Sequence, residues 1–590
     1  MSNTLAATLA AHRAGKPPEE TIEECYAAVA AHADPALFIT LRPKQEAAAD
    51  AERLKATAPE GKPLYGVPFA VKDNIDVAGL PTTAACPAFT YTPERSAFVV
   101  QKLVEAGAIP IGKTNLDQFA TGLVGVRSPY GIPRNALRRD LIPGGSSSGS
   151  AAAVGAGLVP FALGTDTAGS GRVPAALNGV VGLKPSLGAL SSRGLVPACS
   201  TLDTISIFAL DVADAFAVFG VACRYDEADP FSRSSRSPVL EQPQGLRIGV
   251  PRRPEFFGDA EAEAAFARDI AAVGRLGFEI VEFDLGPFAE VARLLYEGPW
   301  VAERYAATKP LIETRPQALH PVTRAIIEGA RQFDAVATFE ALYKLAALKR
   351  ATAPAWRAFD VMLVPTIPRF YKVAEVLADP VALNSRLGTY TNFVNLLDLA
   401  AIAAPSGLRG DGLPSSVTLI APSGTDGLLA ALAGRIQANS GAPMGATGLM
   451  PGPAPAATAA PGRIELAVVG AHLTGLPLNR ELTELGGRFV RAVATTRDYR
   501  LYALPGTVPP KPGLLRVADG EGGQIETEIW SLEAAAFGSF VANIPAPLGV
   551  GSLRFADGSS AKGFLVEAAA TDGAEDITRF GGWRAYLKRR

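Results

Sequence analysis

Histidine is scarce in this chain. Four residues, His12, His32, His320 and His472, are spread over 590 positions. A Ser-His-Asp hydrolase would have to draw its base from those four, and so would a histidine-rich metal site. His12 and His32 fall in an Ala/Glu-rich stretch with helical spacing, which reads as one amphipathic N-terminal helix with both histidines packed at its surface. Cysteine is equally scarce. Cys25, Cys86, Cys199 and Cys223 all lie in the first half and none sits in a CxxC pair, so no disulfide framework is expected and a reducing cytoplasm is. An excess of one charge is missing too. The 56 Lys+Arg balance 58 Asp+Glu, a net charge of −2, which excludes a general nucleic-acid binder. No basic-then-apolar leader opens the sequence. The longest apolar run, near residues 151–164, is Gly-rich, stops at Asp166 and falls short of the ~18–20 residues that a membrane span needs. No membrane partner is expected.

What is present is core material and alternation. Hydrophobic residues make up 48% and charged ones 19%, enough for a large core, and the length suits two to four domains. Tyr65–Val71 (YGVPFAV) and Ile109–Gly112 read as strands, with a helix ending between them near Leu103–Ala108. Gly245–Val250 reads as a strand, Glu261–Leu276 as a helix, Phe278–Phe283 as a strand, Gln317–Trp356 as mostly helical and Asp360–Pro365 as a buried strand. This is the profile of one α/β domain over 1–440. The segment 441–462 (GAPMGATGLMPGPAPAATAAPG) has almost no core-forming side chains and reads as a Pro/Ala/Gly linker. Beyond it, 463–590 carries short strands at Arg463–Val469, Tyr499–Ala503, Leu514–Val517, Gln524–Leu532 and Gly563–Glu567, the texture of a smaller, strand-rich α+β domain.

Two Ser/Gly stretches carry the chemistry: GGSSSGS at 144–150 and GTDTAGSGRVPA at 164–175. They are embedded in apolar material and end in an acid, a Gly-Ser-Gly and an arginine, which a flexible linker does not need. Glycine permits positive φ and close backbone approach, and consecutive N–H groups near a helix start form a pocket for an anion or oxyanion. A serine hydroxyl is a poor nucleophile without a base. With histidine scarce, a buried and hence neutral lysine is a candidate base, and Lys72 directly follows an apolar strand in AVKDNIDV. A second serine between lysine and nucleophile can relay the proton.

These motifs resemble the long signature of the amidase signature family of serine amidohydrolases, over roughly residues 5–440. The resemblance implies a mixed central sheet flanked by helices, with Lys72 as base, Ser146 as bridging serine and Ser170 as nucleophile. It also implies an oxyanion hole from the N–H groups of Thr167, Ala168 and Gly169 with that of Ser170, and flanking structural roles for Asp166 and Arg172. Ser147 and Ser148 are expected to be structural. No metal and no organic cofactor is implied.

Three further segments resemble one branch of that family, the allophanate hydrolases. In YEGPWVAERY (296–305), Tyr296 and Arg304 match a pair that binds a small substrate's carboxylate. Eight residues are just over two helical turns, so one helix would present both side chains on neighbouring parts of a face. The bland alternative is a surface helix with a salt bridge from Arg304 to Glu297 or Glu303. KTNLDQFATGLVGVRSPYGIPR (113–134) matches the loop before the serine motif and would set Gly122 and Gly125 along the pocket. IELAVVGAHLTGLPLN (464–479) is similar to the opening strand and turn of a γ-glutamylcyclotransferase-like domain that the branch links to decarboxylation of N-carboxycarbamate. His472, the only histidine there, is the candidate for that step.

The resemblance implies conversion of allophanate (urea-1-carboxylate) to N-carboxycarbamate and ammonia, then to ammonia and carbon dioxide. The setting would be urea or s-triazine breakdown, with a separate urea carboxylase supplying substrate and the chain acting as a cytoplasmic homodimer. Three alternatives are weighed against this reading. A malonamate-type small-acid amidase would use Arg304 equally well. An amidotransferase subunit is disfavoured by the second domain. A non-catalytic scaffold is disfavoured because all three catalytic positions are present.

Overall fold

Two units, Met1–Thr458 and Ala459–Arg590, make up the computed structural model, which describes residues 4–56, 58–234, 239–241, 245–455 and 463–589. Among the described residues, eleven strands of the first unit form one mixed sheet. They are β1 (Phe38–Leu41), β2 (Pro68–Lys72), β3 (Ile109–Thr114), β4 (Phe161–Asp166), β5 (Val181–Lys184), β6 (Thr204–Ala209), β7 (Arg247–Pro251), β8 (Glu279–Phe283), β9 (Val361–Pro365), β10 (Leu399–Leu408) and β11 (Pro414–Pro422). Their order across the sheet is β1-β3-β2-β4-β6-β5-β10-β11-β9-β7-β8. β2 runs parallel to both β3 and β4.

Strands β2, β4, β5, β6 and β9 are buried at every position, as in a sheet covered on both faces. The two-residue period sorts their side chains. Phe69, Val71, Phe161 and Leu163 enter one core, and Phe69 stacks on Phe161 at 5.0 Å between ring centroids. Ala70, Ala162 and Phe208 enter the core on the other face. Because β2 and β4 are parallel, Lys72 and Asp166 leave the sheet at the same edge, where ligand sites of such sheets gather.

Several expectations change. The N-terminal stretch is two helices, Leu5–Arg13 and Pro18–His32, broken by Gly15 and Pro17. His12 is buried rather than at a surface, edge-on to Tyr65, with Nδ1 2.8 Å from the Lys16 carbonyl. The apolar run 151–164 divides between the helix Ser148–Gly155 and β4. β10 lies inside the sheet although its sequence, LAAIAAPSGL, is rich in alanine; burial between β5 and β11 overrides weak strand propensity. The first part of the expected linker packs on the first unit. Ala442 and Met444 are buried, Gly445 N–H donates to the Gly179 carbonyl and Ala446 N–H to that of Gly155. Residues 456–462 of that linker lie outside the described residues.

The second unit holds β12 (Arg463–Val468), β13 (Arg488–Ala494), β14 (Tyr499–Ala503), β15 (Pro512–Arg516), β16 (Glu526–Glu533), β17 (Leu548–Arg554), β18 (Ser560–Val566) and β19 (Glu575–Asp576). They form a five-stranded sheet, β13-β16-β12-β18-β17, and a three-stranded one, β15-β14-β19. Leu466, Val468, Tyr499, Trp530 and Trp583 are among its core residues.

Candidate active site

Lys72 ends β2 with no exposed surface. Its Nζ donates to Ser146 Oγ at 2.7 Å and to Thr165 Oγ1 at 2.6 Å. Burial pulls the ammonium down to about 7, against the opposing charges of Asp117, Asp203 and Asp166. A large share of the amine is therefore neutral near pH 7 and able to accept a proton. Thr165, one residue before the end of β4, is a second partner that the motif reading did not single out.

Ser146 follows a cis Gly145–Ser146 peptide, and its carbonyl accepts the Asp117 N–H at 3.1 Å. Asp117 organises the loop beside it. Its Oδ2 accepts the N–H groups of Val124 and Gly125, and its Oδ1 accepts that of Arg127. Gly122 (φ +150°) and Gly125 (φ +76°) wrap this carboxylate, and a Cβ at Gly122 or Gly145 would collide with it. The Ser147 hydroxyl bonds the Thr165 carbonyl and that of Ser148 the Asn115 carbonyl.

The loop carrying Ser170 folds around another buried carboxylate. Asp166 pairs with Arg172 at 2.9 Å and accepts the N–H groups of Gly169 (2.8 Å) and Gly171 (3.1 Å). Burial works to raise the Asp166 pKa, but Arg172 and these hydrogen bonds hold it below the ordinary value. Gly169 therefore departs from its expected place in the oxyanion hole, because its N–H is taken by Asp166. Among the described residues the N–H groups of Thr167, Ala168 and Ser170 make no hydrogen bond, and none links Ser146 to Ser170. Thr167 instead donates its hydroxyl to Asp203, and Asn395 braces the loop by donating to the Asp166 and Leu202 carbonyls.

Tyr296 and Arg304 meet, but not on one helix. The helix Gly286–Glu297 stops at Gly298 and a new one, Val301–Thr314, carries Arg304. Pro299 bars the preceding residue from helical conformation, and Gly298 is extended. The break still leaves the Arg304 guanidinium 5.7 Å from the Tyr296 ring centroid. Arg304 is 3% exposed, with Nη1 donating to the Ala120 carbonyl (3.2 Å) and Thr121 Oγ1 (3.1 Å), next to Gly122. No salt bridge is made to Glu297 or Glu303 among the described residues; Glu303 accepts the Thr201 N–H. Among the described residues the buried Arg304 Nη2 has no hydrogen-bond partner. A buried cationic donor left without an acceptor is costly, so an anionic group of a ligand fits here.

In the second unit, His472 follows β12 and lines a cavity of about 590 Å³. Its Nε2 lies 3.0 Å from Glu481 Oε2. Its ring stacks on Phe564 (5.3 Å, 13°) and meets Phe540 edge-on. Burial lowers its pKa, against the raising effect of Glu481. Glu528, invisible to motif reading, holds this turn: it accepts the Thr474 N–H and hydroxyl and the Trp530 Nε1–H, and pairs with Arg584. Among the described residues no group of three or more His, Cys, Asp or Glu could hold a metal ion, and no helix is long and apolar enough to cross a membrane.

Comparison with known proteins adds the lineage. The Amidase family model matches residues 20–430, and the model of the allophanate hydrolase C-terminal domain matches 464–588. Urea amidolyase of Saccharomyces cerevisiae is 46% identical over 546 residues, which is 90% of this chain and 30% of the yeast protein. The chain thus spans under a third of that relative. A glutamyl-tRNA(Gln) amidotransferase subunit of Symbiobacterium thermophilum is 38% identical over 62% of this chain and 81% of its own. The solved structure of Kluyveromyces lactis allophanate hydrolase superposes with a TM-score of 0.80 at 43% identity, covering 98% of both chains. This chain belongs to the amidase family, in the branch that carries an allophanate hydrolase C-terminal domain.

Proposed function

We propose that this chain hydrolyses allophanate. The observation that carries the substrate choice is the buried Arg304 Nη2, which has no acceptor among the described residues, beside Tyr296 and the Gly122 loop. A planar guanidinium suits a small carboxylate. The likeness to an allophanate hydrolase over both units supports the same choice.

Neutral Lys72 takes the proton of Ser146, which takes that of Ser170. The Ser146–Ser170 link closes with substrate bound, as catalytic hydrogen bonds often tighten only in the complex. Ser170 Oγ attacks the terminal amide carbon, and the oxyanion accepts the N–H groups of Thr167, Ala168 and Ser170. Ammonia leaves with a proton returned along the same path, and water cleaves the acyl-enzyme to N-carboxycarbamate. Carboxylation of urea, or s-triazine breakdown, supplies the allophanate, and the chain works as a homodimer. The second unit then speeds loss of carbon dioxide, with His472 protonating the nitrogen.

Arg304→Ala is expected to lower kcat/KM for allophanate roughly 10- to 100-fold, the worth of a charge-assisted hydrogen bond. An uncharged amide of similar size loses far less, and equal loss on both refutes carboxylate recognition. Ammonia release from allophanate, malonamate and glutamine separates the alternatives. Preference for malonamate points to a small-acid amidase, and glutaminase activity that needs partner subunits points to an amidotransferase. His472→Ala is expected to leave the first ammonia release within about twofold while N-carboxycarbamate persists in the ¹³C NMR spectrum. Clearance at the wild-type rate removes His472 from the chemistry.

A further inference from the structure

Lys511 shares the His472 cavity. The polar side chains on its wall are His472, Glu481, Glu484, Asn543 and Lys511, and Lys511 is the one lysine or arginine among them. Its backbone is fixed between β14 and β15, where its N–H donates to Thr507 Oγ1 at 2.9 Å and its carbonyl accepts the Leu504 N–H. Among the described residues its ammonium makes no ion pair or hydrogen bond. Glu481 is engaged by His472, and Glu484 repels an anion. Phe540, Phe564 and Leu548 supply an apolar wall. A carboxylate entering this cavity therefore meets an unpaired ammonium at Lys511, while His472 is engaged by Glu481.

We propose that Lys511 binds N-carboxycarbamate by the carboxylate that is retained, which leaves the departing carboxylate against the apolar wall of Phe540 and Phe564. This assignment rests on the decarboxylation proposed above. An apolar surface suits departure, because the ionised carboxylate loses solvation there while carbon dioxide, being neutral, does not. The bond between nitrogen and the departing carboxylate carbon breaks, and its electron pair goes to nitrogen. Nitrogen takes a proton from the His472 imidazolium. The products are carbamate, still held at Lys511, and carbon dioxide. His472 regains its proton from water, so the dianion plus one proton gives one anion plus one neutral molecule.

The test uses the full chain and dipotassium iminodicarboxylate, the salt of N-carboxycarbamate, at near-neutral pH, with the spontaneous decay measured without protein and subtracted. Loss of the dianion is followed by ¹³C NMR over a range of concentrations, for wild type, Lys511→Met, Lys511→Arg and His472→Ala. Lys511→Met is expected to raise KM by about 10-fold or more, with a smaller fall in kcat, as for a lost charge-assisted contact. Lys511→Arg is expected to recover most of the loss. Thermal melting within a few degrees of wild type shows that each variant is folded. If Lys511→Met keeps the wild-type KM while His472→Ala is slow, Lys511 does not bind the carboxylate and the decarboxylation stands. If wild type does not accelerate the loss, the decarboxylation itself falls; if wild type does and His472→Ala equals it, His472 is not the proton donor and the step written here is wrong.

Discussion

Ser170→Ala is expected to abolish ammonia release from allophanate and to leave the fold unchanged. Ser170 sits on a loop that does not depend on its hydroxyl. The Asp166–Arg172 pair, the Gly169 and Gly171 N–H bonds to Asp166, and the Asn395 brace all remain when one oxygen is removed. The melting temperature should therefore stay within a few degrees. The chemistry has no substitute. Loss of a serine nucleophile costs about 10⁴-fold or more in kcat, and what is left comes from binding and the oxyanion pocket. Activity within tenfold of wild type would mean that another group attacks the amide.

Lys72→Met should be nearly as damaging, and its pH dependence is diagnostic. Methionine keeps most of the buried volume and removes the amine. Ser146 and Thr165 lose their shared partner, yet a desolvated cation also disappears, so the two effects on stability oppose each other. The catalytic loss is about 10²- to 10⁴-fold, the usual contribution of a positioned general base. If Lys72 is the base proposed above, the active form of the wild type is the neutral amine. Burial sets its midpoint at about 7, so kcat/KM for allophanate falls as the pH drops through about 7 and levels off above it. That limb is absent in Lys72→Met. A wild-type limb near the ordinary lysine value of about 10.4 would mean that Lys72 titrates as if exposed.

Much of this site is local text. Lys72, Ser146 and Ser170 sit in short motifs whose residue types state their chemistry, and the strands around them carry apolar runs that β2 and β4 bury completely. What sequence reading left out is what folding joins. Asn395 reaches Asp166 across 229 residues, and Asp203 and Glu528 act through partners far along the chain or through the tertiary geometry of a turn. Asp117 stands in plain view, but only the closed loop shows that it gathers the N–H groups of Val124, Gly125 and Arg127. The Tyr296–Arg304 pair teaches a different lesson. A spacing of eight suggested one helix, while Gly298-Pro299 between them already carried the signal for a break. The two side chains meet across a break between two helices, not because they share a face of one.

Nitrogen balance on allophanate tests the central claim most directly. Purified protein is given allophanate as the only substrate, and ammonia and carbon dioxide are measured to completion, with Ser170→Ala as control. The account predicts that wild type releases both nitrogens of each allophanate as ammonia and that Ser170→Ala releases neither above the uncatalysed rate. No ammonia from allophanate with wild type, or equal release by Ser170→Ala, would contradict it.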